Sequence, residues 1–467
     1  MSTLVEDLRA VVGPAGLLLG PDMDGATVDR RGTYSGEAVA VARPRTTAEV
    51  SEVVRIAARH GAVIVAQGGN TGLSGGAVPT ATGPTVVLSL TRMSDIESVD
   101  PDRFSATVQA GVTIGAIQDA AAAADRLFAP DWGARGSATI GGAISTNAGG
   151  VNVLRFGSMR DHILGLEVVL PDGRVWDGLR ALRKDSSGYD LKHLFIGAEG
   201  TLGIVTRAVV RLLPSFGHQQ TAFAAIPELS VIRPLLASAL RHAPSGVTAF
   251  ELIPERGLAA MVSKFGRQRP LATVTDWYVL IRFAGAGPVD EPLAGFLDES
   301  SRAGLVSDAV VAATPAQEEN LWLIRDEILP GDVFDNHTSG LKMDAAVPID
   351  RIEEFLDGVT ALAAEMTPGA AHYSFGHVGD GNLHTYVIPP VGAEEEFRRI
   401  LPGLRDATDR LTWELGGTLS AEHGVGQTLR DRIAAQKGDL EMEIARGLKR
   451  LLDPDGLLNP DKTLPSD

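Results

Sequence analysis

The chain has 467 residues, 44% hydrophobic and 22% charged, a balance that excludes wholesale disorder and leaves room for two or three domains. Without a cysteine it can form no disulfide, thiolate nucleophile, iron–sulfur cluster or Cys-ligated zinc, so any metal must be held by His, Asp or Glu. A net charge of −17 argues against a nucleic-acid partner.

The first residues, Met1–Gly13, show no basic segment ahead of an apolar run, and no stretch reaches the ~18 apolar residues of a membrane span. A soluble cytoplasmic protein is expected. Thr46 and Glu49 suggest a capping box, and Val50, Val53, Val54 and Ala57 continue at helical spacing. Ala62–Ala66 reads as a buried strand, Thr85–Leu90 and Ala106–Gly111 as two more, and Thr113–Ala124 as an Ala-rich helix. Ile163–Leu170 and Arg174–Trp176 form a hairpin pattern about Pro171-Asp172-Gly173, and Thr201–Leu213 adds a strand. Beyond residue 215 the text becomes less glycine-rich, with a strand at Trp277–Phe283 and helices at Pro315–Ile328 and Asp350–Glu365. This predicts an α+β fold: a first domain over 1–215, a second over 216–415, and a segment 416–467 that rejoins the first.

Three glycine-rich segments stand out. Gln67–Gly76 follows a predicted strand and carries five glycines, with Asn70, Thr71 and Ser74 as added donors; this suits a phosphate nest, the alternative being a mobile linker. Pro130–Gly150 is dominated by small residues, reads as a loop, and would admit a planar cofactor close to the backbone. Gly197–Gly203 leads into a strand. No Rossmann fingerprint is present, since Leu429 stands where Gly424-Val425-Gly426 would need its third glycine, and the Walker A pattern is absent as well, so an NAD enzyme or ATPase is not expected.

Phe375–His384 places His377 and His384 on either side of an Asp380-Gly381 turn, and Glu422-His423 follows later. Two imidazoles and a carboxylate with an open position suit a divalent Lewis acid, although isolated histidines are more often packing or surface residues. Arg325 and Lys342 are candidate carboxylate clamps, or equally solvated surface cations.

Taken together these segments resemble the flavin-dependent D-2-hydroxyacid dehydrogenases of the vanillyl-alcohol-oxidase/p-cresol-methylhydroxylase type, from about Val41 to Lys462. The group includes D-lactate and D-2-hydroxyglutarate dehydrogenases and glycolate oxidase large subunits. The markers are Arg43-Pro44, Gln67–Gly76, Thr139–Gly150, Asp185–Leu191, Gly197–Gly203, His377–His384, Glu422–Gly424, and Asn459-Pro460 with Lys462. The resemblance implies an FAD-binding domain of two subdomains and an antiparallel-sheet cap domain for the substrate, with the C-terminal segment completing the FAD site. Gly68, Gly69, Asn70, Thr71, Gly72 and Ser74 would wrap the pyrophosphate. Pro130, Ser137, Gly141, Gly142, Ser145, Asn147, Gly149 and Val151 would line the cofactor, with Glu199, Gly200, Ile204 and Asn459 completing its binding. The first loop lacks the His through which some relatives attach flavin, so FAD is expected to be non-covalent. By the same resemblance His377, His384 and Glu422 would hold a divalent ion, zinc in the hydroxyglutarate branch. His423 would be the general base for the substrate hydroxyl as hydride passes to flavin N5.

This sequence departs from the hydroxyglutarate branch at positions that bind the distal end of a dicarboxylate: Leu329 replaces a Thr and Tyr386 an Asn. The spacing from Arg325 to Lys342 is also longer. With Arg325, Lys342 and Tyr386 as candidate substrate contacts, a 2-hydroxyacid with an uncharged side chain becomes an expectation. An oxygen-using flavin oxidase of a larger hydroxylated metabolite is the alternative, and a non-catalytic flavin subunit of an electron-transfer complex a lesser one. The electron acceptor (a protein, a quinone or oxygen) stays open, with a homodimer as the candidate assembly.

Overall fold

The computed structural model describes residues 2–80 and 83–465, and the chain divides into two compact units. The first comprises 1–150, 157–215 and 422–467; the second comprises 151–156 and 216–421. Two short stretches therefore depart from the expected boundaries. Val151–Phe156 belongs to the second unit, because the Arg155 guanidinium donates to the Ala284 carbonyl at 2.7 Å and sits over the rings of Phe156 and Phe216. Gly416–Ala421 also belongs there, because Thr418 and Ala346 exchange backbone hydrogen bonds and the Ala421 amide donates to the Asp344 carbonyl.

In the first unit, a four-stranded sheet runs in the order Leu17–Leu18, Ala40–Ala42, Thr85–Ser89, Val63–Gln67, and its last three strands pair in parallel. Helix Thr47–Arg59 connects two of them, with Val50, Val53, Val54 and Ala57 all turned into the core. Thr46 caps it by accepting from the Glu49 amide, but the Glu49 carboxylate reaches back to the amide of Arg45 rather than Thr46. Five antiparallel strands form the second sheet, in the order Ile96–Asp100, Ser105–Gln109, Ile204–Arg211, Ile163–Val169, Val175–Gly178. In the segment 422–467, the Ile64 amide donates to the Leu457 carbonyl and the Ile64 carbonyl accepts from the Asn459 amide, which lays the tail along the edge strand Val63–Gln67.

A four-stranded antiparallel sheet forms the centre of the second unit, in the order Val247–Pro254, Trp277–Gly285, His218–Ile226, Asp308–Val311. Beside it stands a three-stranded antiparallel sheet, Leu341–Ala346, Asn382–Ile388, Ala371–Phe375. One face of this smaller sheet presents Leu341, Met343, Ala345, Leu383 and Val387 to a core shared with helices Ile352–Met366 and Glu394–Glu414. The opposite face carries the polar residues described next.

Candidate active site

In the first unit the edge strand Val63–Gln67 leads directly into the loop Gly68–Gly76. Among the described residues, no protein acceptor takes the amide N–H of any residue from Gly68 to Gly76. Buried or half-buried backbone donors ordinarily find partners, so a run of open amides after a strand is what an anionic ligand needs. The loop is pressed tightly against the chain that follows Trp132. A Cβ at Gly69 would lie 1.9 Å from the Ser137 carbonyl oxygen, and one at Gly68 would lie 2.2 Å from Thr139 Oγ1. Gly69, Asn70, Thr71 and Ser137 border a cleft of about 400 Å³ together with Gly25 and Asp29. Asn70 adopts a left-handed conformation (φ 51°) and donates to the Val28 and Gly25 carbonyls.

The second glycine segment is not the continuous loop expected. Ile140–Thr146 forms an α-helix capped by Thr139, which accepts from the Gly142 amide. Gly141 lies against Ala110, while Ser145 donates back to the Gly141 carbonyl at 2.8 Å. Asn147 ends the helix at φ 49°, and its side-chain oxygen accepts from the Arg160 amide and the Ser158 hydroxyl. The Pro130 carbonyl accepts from Gln118, and Gly149 is half-buried. Val151 lies with the second unit, and Ile204 is 1% exposed in the hydrophobic core beneath the first sheet.

Glu199 is buried at φ 49°, just before Gly200, and its two carboxylate oxygens accept from the amides of Val425 and Gly426 at 2.7 and 2.9 Å. Burial pushes its carboxyl above the ordinary range, opposed by those two amides and by the Lys462 ammonium. Asn459 donates to the Gly76 and Glu199 carbonyls, and its own side-chain oxygen is buried without a partner. Glu422 and His423 lie in this unit, with His423 Nε2 3.7 Å from Glu422 Oε1.

In the second unit, strand register assembles the polar face. Lys342 pairs with Tyr386 and Tyr386 with Tyr373, while Asp344 pairs with His384 and His384 with Phe375. Opposed residues point the same way, so Lys342, Tyr386, Asp344 and His384 share one face, floored by stacked Phe375 and Tyr386 rings. His384 Nδ1 lies 3.6 Å from Asp344 Oδ1, which also accepts from Asn382 at 3.0 Å. The His377 and His384 rings meet edge to face with centroids 5.6 Å apart.

The sequence did not reveal what holds His377. Glu251, in strand Val247–Pro254, is fully buried; one carboxylate oxygen lies 2.9 Å from His377 Nδ1 and the other accepts from Arg325 Nε at 2.7 Å. Backbone bonds exchanged between Leu252 and Gly376 bring the two segments together. Burial alone would push the Glu251 carboxyl up, but the His377 imidazole and the Arg325 guanidinium outweigh it and hold the group at about 2. Arg325 Nη2 also lies 3.3 Å from His377 Nε2, so the guanidinium is braced inside the unit and is not a solvated surface cation. Lone acids inside the apolar runs Val247–Pro254 and Leu341–Val347 were the available signal for Glu251 and Asp344. A carboxylate in such a run must find a cation or a donor.

Residues 217–463 match the family described as FAD linked oxidases, C-terminal domain, and residues 38–178 match an FAD binding domain. The chain is 35% identical over 467 residues to D-2-hydroxyglutarate dehydrogenase, mitochondrial, of Bos taurus, covering 99% of this chain and 84% of the relative. It is 36% identical over 429 residues to D-2-hydroxyglutarate dehydrogenase of Xanthomonas citri pv. viticola, covering 91% and 89%. The corresponding protein of Stutzerimonas stutzeri is 31% identical over 466 residues, with 98% of each chain covered. Among solved structures, p-cresol methylhydroxylase with substrate bound superposes with a TM-score of 0.77 at 16% identity, over 99% of this chain and 96% of that one.

Proposed function

The chain belongs to the FAD-linked oxidases, and on that premise we propose how its residues carry out the FAD-dependent oxidation of a D-2-hydroxyacid to the 2-oxoacid. FAD supplies the hydride acceptor, flavin N5. Two observations in the first unit fit that cofactor: the open amides of Gly68–Gly76 suit a pyrophosphate, and the partnerless side-chain oxygen of Asn459 suits a ligand donor. No histidine lies in Gln67–Gly76, which supports non-covalent attachment. Acid precipitation should leave the flavin in the supernatant.

The observation that carries the substrate reading is the polar sheet face bearing Lys342, Tyr386 and His384, with Arg325 and His377 braced by Glu251. Cations there offer carboxylate binding, and a buried aromatic floor excludes water. Arg325 and Lys342 would hold the substrate carboxylate in one orientation, while His423 takes the hydroxyl proton. The sequence resemblance assigns His377, His384 and Glu422 to a divalent ion, zinc in this reading, which would lower the hydroxyl pKa. The Asp344 carboxylate, 3.6 Å from His384, supports a cation preference on that face.

Relatives across nearly the whole chain carry the name D-2-hydroxyglutarate dehydrogenase, yet by the sequence resemblance Leu329 and Tyr386 stand at positions that would bind the distal carboxylate in that branch. Leu329 is half-exposed, and Tyr386 is packed against Phe375. We therefore favour a D-2-hydroxyacid whose side chain is uncharged. Anaerobic bleaching of the bound flavin by a panel of D- and L-2-hydroxyacids tests reaction, stereochemistry and side-chain preference together. Faster bleaching by D-2-hydroxyglutarate than by any monocarboxylic D-hydroxyacid would overturn the side-chain reading, and bleaching by L-acids alone would overturn the stereochemistry.

A further inference from the structure

The first unit contains a clamp on the segment His423–Thr428. The sequence resemblance assigns Glu199 to the cofactor's binding; in the structure its two carboxylate oxygens accept from the amides of Val425 and Gly426. On the other side, the Ser74 hydroxyl approaches the carbonyls of His423 and Gly424 at 3.2 and 3.1 Å, and the Ser74 carbonyl accepts from the Gln427 amide at 2.8 Å. Gln427 returns a side-chain bond to the Gly75 carbonyl. The approach is so close that a Cβ at Gly426 would lie 2.1 Å from the Ser74 carbonyl oxygen, and that residue has a left-handed φ of 52°. Asn459 then ties the Glu199 carbonyl to the Gly76 carbonyl through its two donor bonds.

We propose that Glu199 and Ser74 are positioning residues for His423: the glycine loop and Glu199 together fix the backbone from which the imidazole projects. This rests on the reading of His423 as the base. One carboxylate accepting from the amides two and three residues downstream, with the Ser74 hydroxyl against the carbonyls at and just after His423, leaves the segment little freedom to rotate. Displacements of about 1 Å at a reacting group can lower a rate by about a hundredfold, so such a clamp bears directly on turnover. It also makes the cofactor loop and the base segment one mechanical piece. Ordering the loop around a ligand then orders the base.

The test is Glu199→Gln, which keeps the shape but sets an NH₂ group against one of the two amide donors, with Ser74→Ala as the milder second variant. Amide hydrogen exchange of the holoenzyme over residues 423–428 is read beside steady-state kinetics and bound flavin. The expectation for Glu199→Gln is exchange faster by about tenfold in that segment, kcat lower by about tenfold or more, KM within about twofold, and flavin retained. Ser74→Ala should move the same readouts in the same direction, less far. In a His423→Ala background neither substitution should lower kcat further. Unchanged exchange in both variants, or a rate loss that matches lost flavin, would overturn the clamp. Undiminished turnover in His423→Ala alone would instead overturn the assignment of the base, with the exchange result still reporting on the clamp.

Discussion

Glu251→Gln is the most revealing single substitution in the second unit. The wild-type carboxylate is 1% exposed, with Arg325 Nε at 2.7 Å and His377 Nδ1 at 2.9 Å. Gln keeps the volume and one carbonyl acceptor but removes the charge and turns the other bonding position into a donor. Hydrogen bonds to charged groups contribute about 1.5–3 kcal/mol each, and breaking a buried pair by removing one partner costs about 3–5 kcal/mol. A loss of about 3–5 kcal/mol is therefore expected. For a unit of about 200 residues, that corresponds to a fall of about 6–20 °C in the melting temperature of its transition, followed by calorimetry. The same substitution made in an Arg325→Met background should lose less than about 1.5 kcal/mol, because the cation that the carboxylate balanced is gone. Equal losses in the two backgrounds would mean that Glu251 and Arg325 are not energetically coupled, and would refute the argument. A melting temperature unchanged by Glu251→Gln alone would refute it sooner.

Gly69→Ala puts a Cβ 1.9 Å from the Ser137 carbonyl oxygen, so the loop must move; FAD affinity should fall by about tenfold or more, read as flavin absorbance lost on desalting, and full retention would contradict the cradle. Lys462 is 2% exposed, donates to the Val78 carbonyl, and is held down to about 8 chiefly by burial. Its charged form is thus disfavoured in the fold, and the unfolded chain binds more protons between pH 8 and 10.5. The stability of the wild type relative to Lys462→Met should rise across that window, by at most about 3 kcal/mol, and a flat difference in denaturant midpoints from pH 7 to 10 would count against it. Chelation, or His384→Ala, should abolish flavin reduction by the substrate while FAD stays bound; turnover that survives metal removal would take the ion out of the mechanism.

Local signals carried the sequence a long way. Strands bounded by Gly and Pro, helices capped by Thr46 and Thr113, and the His377/His384 turn all express rules that act within about ten residues. Where residues far apart decide the outcome, those signals ran out. Glu251 meets Arg325 across 74 positions and His377 across 126, and nothing near any of the three announces the others. Val151–Phe156 joins the second unit through Ala284 and Phe216, partners equally remote in the chain. Helix Ile140–Thr146 was missed for a different reason. Its two glycines and β-branched residues have weak helical propensity, and its cap and the packing of Ile140 and Ile144 against the second sheet override that preference. Glu199 was expected to bind the cofactor, and its grip on the amides of Val425 and Gly426 could not be read without knowing that residues 425–426 return to it.

Laying the tail along strand Val63–Gln67 sets an order on biosynthesis. That strand lies at a sheet edge, and its backbone partners, Leu457 and Asn459, are synthesised only after the whole of the second unit. The second unit, made of 151–156 and 216–421, has emerged in full by then, whereas the first must wait with an open, pairing-competent edge. A nonsense mutation anywhere between residues 422 and 456 would therefore release a chain whose middle can pack but whose first sheet presents a bare strand to its neighbours. Such truncations are expected in the insoluble fraction, whatever becomes of their flavin.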